Sequence, residues 1–187
     1  MKLKILKFNN VKSTNDEAIK LIKSNKFILG LVSANSQTNG RGTMGKKWIS
    51  YKGNIFISIF FKVNLIKIKI ENYLIINAKI IQKILNEYTK KIIEIKKPND
   101  LLIDEKKICG ILQEVIDHNK EKYLITGIGI NTNILPLNNE FKCTSLKINS
   151  NKNINNKIII DKIKIKYDKL IYDLNNHDSL YVKKIYK

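Results

Sequence analysis

The chain has 187 residues, 43% of them hydrophobic, which suffices for one well-filled domain and leaves little for a second. Its formal net charge is +19. No apolar run is long enough for a membrane span, and the N-terminus lacks a signal-peptide stretch, so we expect a cytoplasmic protein without a membrane partner. Two cysteines, Cys109 and Cys143, are too few for a disulfide framework or a four-ligand zinc site, and we expect both to be reduced.

The positive charge would ordinarily suggest a nucleic-acid partner. Here the charge is carried almost entirely by lysines spread along the chain, among many isoleucines and asparagines, as AT-rich codon usage produces. No local platform of arginines and aromatic rings accompanies the lysines. We therefore expect no DNA partner, and we keep a nucleic-acid-binding module as the alternative function of a different class.

One basic residue differs from the rest. Arg41 is the single arginine of the chain, and it shares a polar segment with the single tryptophan, Trp48. A guanidinium binds a carboxylate or phosphate through two parallel hydrogen bonds, which a lysine cannot do. The segment around Arg41 is the first candidate for a functional site, against the alternative of a solvated arginine without a role.

In chain order, the first predicted element is a helix. Residues 13–17 have the spacing of a capping box, and the apolar residues after them repeat at helical period, so the helix begins at about Thr14. A strand-like run from Phe27 then leads into a polar, glycine-rich loop at 35–47.

The rest of the chain alternates between strand and helix patterns. Residues 54–61 predict a buried strand, and the period at 71–88 predicts a long helix. Residues 92–133 contain short strands separated by tight turns, which must pair antiparallel. After an asparagine-rich loop at 149–157, a final helix begins at about Lys157. The pattern predicts one α+β domain over residues 1–187, a mixed or antiparallel sheet with helices packed on one face.

Two glycine-containing segments come close to known nucleotide-binding motifs. GRGTMGKK at 40–47 has the spacing of a P-loop, but Lys47 replaces the required Ser or Thr and a strand pattern follows, so we reject an NTPase. Its glycines still allow backbone N–H groups to approach an anion. GIGIN at 127–131 has only two glycines of a dinucleotide fingerprint and is better explained as a strand end that packs closely.

A lysine stands at a predicted strand end in KKPND, residues 96–100. The segment has the composition of an ordinary turn. Beside the arginine loop, however, Lys96 would suit charge stabilisation in phosphoryl or nucleotidyl transfer. Lys107 is a second candidate for a phosphate-facing charge, although a solvated lysine is the commoner outcome in so lysine-rich a chain. His118 and His177 have no partner pattern and receive no role.

Five segments in this order closely resemble bacterial biotin protein ligases. The segments are STN at 13–15, QTNGRGTMGKKW at 37–48, KKPND at 96–100, KKICGILQE at 106–114 and GIGINTN at 127–133. The resemblance implies an α+β catalytic domain of the type shared with lipoate ligases. It implies biotin and ATP as substrates, Mg²⁺ carried with the ATP and no direct metal site on the protein. The product would be biotinyl-5'-AMP, from which biotin passes to a lysine of the biotin carboxyl carrier protein of acetyl-CoA carboxylase.

The resemblance also implies roles for residues at matching positions. The expected catalytic residues are Lys96 and Arg41, with Lys96 stabilising charge as the biotin carboxylate attacks the α-phosphate. The expected biotin-binding residues are Ser13, Thr14, Asn15, Gln37, Arg41, Gly42, Thr43, Lys96, Gly110 and Ile111. The expected ATP-binding residues are Gly40, Arg41, Trp48, Lys96, Asn99, Asp100, Lys107 and Asn131, with Trp48 packing on adenine.

The chain departs from the family pattern at three places. Thr43 and Met44 stand where the family usually has basic residues, so we expect a weaker hold on the adenylate. Lys97 replaces the usual tryptophan of the KWPND-type block. We expect no N-terminal DNA-binding domain, hence no repressor role, and no small C-terminal SH3-like domain; a homodimer is left open. The remaining alternatives are a lipoate or octanoate ligase of the same fold and a degenerate ligase that binds biotin without turnover.

Overall fold

The computed structural model describes residues 2–136 and 142–186. The strands are β1 (Ile5–Val11), β2 (Gly30–Gln37), β3 (Ile55–Val63), β4 (Glu94–Lys96), β5 (Asp100–Ile103), β6 (Lys106–His118) and β7 (Glu121–Ile130). The helices are α1 (Thr14–Lys23), α2 (Ile70–Leu85), α3 (Leu146–Ser150), α4 (Asn156–Asn176) and α5 (Ser179–Tyr186). No helix within the described ranges combines the length and the apolar character that crossing a membrane requires.

The strands form one mixed sheet in the order β1-β2-β3-β7-β6-β5-β4. β1 and β2 are parallel, because α1 carries the chain back between them, and the other neighbours are antiparallel. Asn119 and Lys120 make the tight turn between β6 and β7, with φ angles of 49° and 63°. Two successive residues of positive φ are typical of a type I′ hairpin turn. The predicted α+β class is confirmed.

The central strand β3 separates two cores. Ile57 and Ile59 belong to the larger core, which also contains buried residues of α2, α4 and α5. Phe60, pointing the other way, packs with Ala18 and Ile22 of α1. Because successive side chains of a strand point to opposite faces, α1 covers the face opposite to α2, α4 and α5. The expectation that all helices pack on one face was therefore wrong for α1.

The start of α1 is fixed by its local sequence. Ser13 Oγ accepts a hydrogen bond from the backbone N–H of Asp16 at 3.5 Å, and Asp16 and Glu17 place negative charge in the first turn. Ala18 and Ile22 are fully buried against the sheet. The predicted helix start at Thr14 is therefore confirmed, and the first turn of α1 is held above the sheet beside the end of β1.

Several elements differ from the sequence predictions, among them β2, which begins at Gly30 and runs on to Gln37, and the short helix α3, which had no prediction. β1 had no prediction, since its pattern of lysines and asparagines does not resemble a buried strand; it lies at the sheet edge. The long helix ends at Leu85 and continues as a 3₁₀ turn over Asn86–Tyr88. The last helix, α5, also had no prediction, although Val182 and Tyr186 pack into the larger core.

Candidate active site

A pocket opens on the α1 face of the sheet, between the first turn of α1, the end of β2, the glycine-rich loop and the middle of β6 and β7. Most residues expected from the sequence line it. They are Ser13, Thr14, Asn15, Gln37, Arg41, Gly42, Thr43, Trp48, Asn99, Lys107, Gly110 and Ile111. Leu112, Gly127, Ile128 and Gly129 also line the pocket and were not expected.

A chain of hydrogen bonds fixes the polar wall at the α1 side. Gln37 Oε1 accepts from the backbone N–H of Thr14 at 2.8 Å and from its hydroxyl at 3.1 Å. Gln37 Nε2 donates to Ser50 Oγ at 2.8 Å. Ser58 Oγ, fully buried in β3, lies 2.8 Å from Thr14 Oγ1 and 2.5 Å from Asn15 Oδ1. These buried groups hold one another in place before any ligand arrives.

Glycine at position 127 is required by the same wall. A Cβ atom there would lie 2.4 Å from Asn15 Oδ1, well inside van der Waals contact. The absence of a side chain allows the first turn of α1 to sit directly on β7. The sequence indicated close packing at this glycine without naming its partner, which is Asn15.

Arg41 is held by two carboxylates. Its Nη1 and Nη2 donate to Glu114 Oε1 and Oε2 at 2.9 and 2.7 Å, and Nη2 also lies 2.8 Å from Asp16 Oδ1. Burial lowers the pKa of Arg41, but hydrogen bonds and charges from Glu114 and Asp16 outweigh burial and raise it above its ordinary value. Asn15 Nδ2 donates to Glu114 Oε2 at 2.7 Å and joins this cluster to the polar wall.

The floor of the pocket is a pair of glycines covered by Trp48. Gly110 and Gly129 are directly opposite each other on β6 and β7. A Cβ atom on Gly129 would lie 2.3 Å from the indole, and one on Gly110 would lie 2.7 Å from it. Lys107 Nζ lies 5.3 Å from the centre of the Trp48 ring. The indole therefore rests on the bare backbone of the sheet and fills the bottom of the pocket.

The glycine-rich loop folds back on itself. Gly42 N–H donates to Lys46 O at 2.7 Å, and Trp48 N–H donates to Gly40 O at 2.9 Å. Met44 and Gly45 have positive φ angles, 53° and 74°, at the tip of the loop. A Cβ atom on Gly40 would lie 2.5 Å from Trp48 O, so Gly40 supports the loop from behind and does not line the pocket.

The β4–β5 turn contributes through Asn99 and Asp100. Asn99 Nδ2 donates to Ile111 O at 2.8 Å, and its own carbonyl accepts from Ile111 N–H at 2.9 Å. Asp100 Oδ1 lies 2.7 Å from Lys107 Nζ. The preceding Lys97–Pro98 peptide bond is cis. This turn thereby fixes both the neighbouring strand and the ammonium group of Lys107.

The structure places the two candidate lysines differently. Lys96 is exposed at the end of β4 and does not line the pocket. The Lys107 side chain is 18% exposed and reaches into the pocket beside Trp48. Asn131 supports Lys107 from behind, since its Nδ2 lies 3.5 Å from Lys107 O and its backbone N–H donates to Ile108 O at 2.9 Å.

Comparison with known proteins identifies the family of the chain. The family model described as biotin/lipoate A/B protein ligase family matches residues 8–131. The chain belongs to this family.

Two kinds of relative support the assignment. The bifunctional ligase/repressor BirA of Bacillus subtilis is 30% identical over 183 residues, which cover 94% of this chain and 56% of that protein. The biotin protein ligase of Aquifex aeolicus, solved with biotin and ATP, has 27% identity and a TM-score of 0.76, covering 94% of this chain and 73% of that one. The Leishmania major enzyme, solved with biotinyl-5-AMP, shares the fold with a TM-score of 0.77 at 23% identity, over 97% of this chain and 79% of that one.

The chain thus spans little more than half the length of its Bacillus relative.

Glu114 and Asp16, which contact Arg41 in the pocket, are the functional candidates that the sequence analysis missed. Glu114 ends the KKICGILQE segment, and strand alternation places it on the same face as Gly110, which was a usable signal. No feature of the neighbouring sequence indicates that Asp16, in the first turn of an ordinary helix, would contact Arg41.

Over residues 2–136 and 142–186, no group of three or more His, Cys, Asp or Glu side chains could hold a metal ion.

Proposed function

We propose that this chain is the catalytic domain of a biotin protein ligase. It activates biotin with ATP to biotinyl-5'-AMP and then transfers biotin to a lysine of the biotin carboxyl carrier protein of acetyl-CoA carboxylase. The observation that carries the proposal is one pocket in which a preformed polar wall, a glycine floor and a lone arginine converge. A cytoplasmic location and Mg²⁺ entering with the ATP belong to the same proposal.

The polar wall suits the uncharged polar end of a small acid. Thr14, Asn15 and Gln37 are held by their mutual contacts with Ser58 and Ser50, so little conformational freedom remains to be lost on binding. In the proposed complex the backbone of Gly110 and Ile111 borders the ring system of biotin. A rigid wall of this kind selects a ligand by matched hydrogen bonds, because a wrong ligand would leave buried groups unpaired.

The opposite side of the pocket suits anions. In the first half-reaction a carboxylate oxygen of biotin attacks the α-phosphorus of ATP, and the bond to the bridging oxygen of pyrophosphate breaks. Negative charge concentrates on the phosphate oxygens, which the guanidinium of Arg41 and the ammonium groups of Lys107 and Lys96 would stabilise. Lys107 already lines the pocket, whereas Lys96 has to swing in from the end of β4.

Trp48 supplies an aromatic face for adenine in the proposed complex. In the described conformation its indole rests on Gly110 and Gly129, so the ring has to shift along the floor as ligands enter. Loop ordering over the adenylate would then exclude water from the mixed anhydride. In the second half-reaction the amine of the carrier lysine attacks the acyl carbon, AMP departs, and the proton lost by the amine goes to solvent.

The deciding experiment is mass spectrometry of a biotin-accepting carrier domain after incubation with this protein, ATP, Mg²⁺ and biotin. We expect a biotinyl mass gain that is abolished by Lys96→Ala and retained by Lys62→Ala, an exposed lysine of β3 paired with Glu121. A parallel reaction with lipoate tests the other activity of the family. No gain with biotin contradicts the proposal, and a lipoyl gain replaces it with a lipoate ligase.

A second variant, Lys107→Ala, assigns the charge-stabilising role. A loss of adenylate formation of about 10²- to 10³-fold is the scale expected for one donor to a developing oxyanion. If Lys107→Ala abolishes the mass gain and Lys96→Ala does not, the catalytic role belongs to Lys107. The biotin ligase activity itself would still stand.

A further inference from the structure

Two acidic side chains share the single arginine of the pocket. Glu114 accepts from Nη1 and Nη2 of Arg41 at 2.9 and 2.7 Å, and Asp16 Oδ1 lies 2.8 Å from Nη2. One positive charge therefore faces two negative ones. An anionic ligand approaching Arg41 meets a cluster that repels it unless one carboxylate gives way.

The two carboxylates are held unequally. Glu114 lies on β6 in the middle of the sheet, its side chain is 26% exposed, and Asn15 Nδ2 supports it with a further hydrogen bond of 2.7 Å. Asp16 stands in the first turn of α1, its side chain is 40% exposed, and it contacts Arg41 through one oxygen. Displacing Asp16 into water therefore costs less than breaking the paired hydrogen bonds of Glu114.

Glu114 occupies the Nη1–Nη2 edge of Arg41, so a ligand has to use the other edge, beside the Nη2 that Asp16 contacts. Nη2 and Nε lie on the same edge of a guanidinium and together form a two-donor fork for a carboxylate or phosphate. Nε of Arg41 is buried and has no hydrogen-bond partner within the part of the chain that the structure describes. Asp16 contacts Nη2, one donor of this fork, and a buried Nε left unpaired favours a ligand that satisfies it.

We propose that Glu114 is the positioning residue of Arg41, and that Asp16 is a built-in stand-in for the anionic group of the ligand. An incoming anion replaces Asp16 on the Nε–Nη2 edge, while the pair with Glu114 persists and keeps the guanidinium aimed into the pocket. The proposal rests on the proposed function only for the identity of the anion, the biotin carboxylate or an ATP phosphate.

The test measures inorganic pyrophosphate binding to the whole chain by isothermal titration calorimetry, with biotin and ATP in separate arms. Asp16→Asn is expected to tighten pyrophosphate binding about threefold to fivefold, the scale of one partly exposed charge pair. Glu17→Gln is the matched control: it removes a charge from the same helix turn, but Glu17 pairs with Lys20. The control should change affinity by less than twofold, roughly the effect of a surface charge.

The role of Glu114 is tested by a substitution that is expected to change pyrophosphate affinity in the opposite direction. Glu114→Gln should weaken pyrophosphate binding about tenfold, because the loosened guanidinium must be ordered again on binding. Glu114→Asp, which keeps the charge with a shorter reach, should fall between wild type and Glu114→Gln and serves also if the Gln variant folds poorly. In an Arg41→Met background Glu114→Gln should no longer weaken pyrophosphate binding, and removal of either negative charge should at most tighten it slightly, whereas a merely structural role of Glu114 would still weaken binding there.

The outcomes distinguish the roles proposed for Glu114 and Asp16 from the proposed biotin substrate. Tightening by both Asp16→Asn and Glu114→Gln would show two equivalent competitors and overturn the assignment, as would unchanged affinity in Asp16→Asn. Absence of measurable pyrophosphate and ATP binding in every variant overturns it too. The expected pyrophosphate pattern without any biotin binding leaves the roles of Glu114 and Asp16 standing and contradicts only the proposed substrate.

Discussion

The α1 side of the pocket and the glycine-loop side hold their functional groups by different means. On the α1 side, Thr14 and Asn15 are 4% and 3% exposed and belong to regular structure bonded to the buried Ser58. On the loop side, the Arg41 side chain is 34% exposed and held by ion pairs, and Trp48 rests on glycines without a hydrogen bond from its Nε1 to any described residue. One side is preformed, and the other can rearrange.

A small domain built in this way can use one side of a pocket to recognise a ligand and the other side to enclose it. Recognition requires buried partners that do not move, because unpaired polar groups then penalise the wrong ligand. Enclosure requires contacts that break at little cost, as partly exposed ion pairs and a ring on bare backbone do. Substitutions on the two sides should therefore differ in their effects.

The largest contrast is expected between two glycines of β7. Gly127→Ala places a Cβ against Asn15 on the fixed side, where it should lower the free energy of unfolding by about 2 to 3 kcal/mol through overpacking. Gly129→Ala places a Cβ against the Trp48 ring on the loop side, where the ring can move away, so the loss should stay below about 1 kcal/mol.

Urea denaturation of both variants, with Trp48 fluorescence as a second signal, measures this contrast. The emission of the single tryptophan should shift to the red in Gly129→Ala, as the indole leaves the floor, and remain unchanged in Gly127→Ala. Equal destabilisation by the two substitutions would contradict a division into fixed and mobile sides.

A smaller effect is expected at Ser58. Ser58→Ala leaves the hydroxyl of Thr14 and the amide oxygen of Asn15 without their buried partner, and should cost about 1 to 2 kcal/mol of stability. Biotin affinity should fall together with stability, since the same wall forms the binding surface in the proposed complex. The matched control is Ser33→Ala on the neighbouring strand, whose side chain points to the opposite face. A neutral Ser58→Ala would mean that the polar wall is not preorganised by β3.

The smallest effect is expected at the loop tip. Thr43 lines the pocket where the family usually has a basic residue, so Thr43→Arg should slow the escape of biotinyl-5'-AMP about threefold to fivefold, the scale of one partly exposed charge contact. Release of the adenylate in single-turnover reactions measures it. Met44→Arg is the comparison, since Met44 is 89% exposed and does not line the pocket, and its effect should be smaller. An unchanged rate of biotinyl-5'-AMP release in Thr43→Arg would contradict the weaker binding of the adenylate expected for this loop.

Most of the secondary structure followed from local patterns. The α1 cap, the buried run of β3, the period of α2 and the hairpin of β6 and β7 all depend on residues close together in the chain. β1 escaped prediction because an edge strand needs no alternating apolar pattern. The placement of α1 opposite the other helices escaped it because a helix pattern indicates that one face is buried, without saying which side of the sheet it covers.

The α+β class and the chemical character of the glycine loop followed from sequence patterns alone, and the resemblance of five motifs in order supplied twelve of the residues that line the pocket. Tertiary structure alone decided which groups meet. Glu114 and Arg41 are 73 positions apart, and only pairing of β6 in the sheet brings that carboxylate to the loop. The same holds for the two candidate lysines. Lys107 is half-buried beside Trp48 and Lys96 is exposed, and only the position of each residue in the sheet decides which ammonium group faces the pocket.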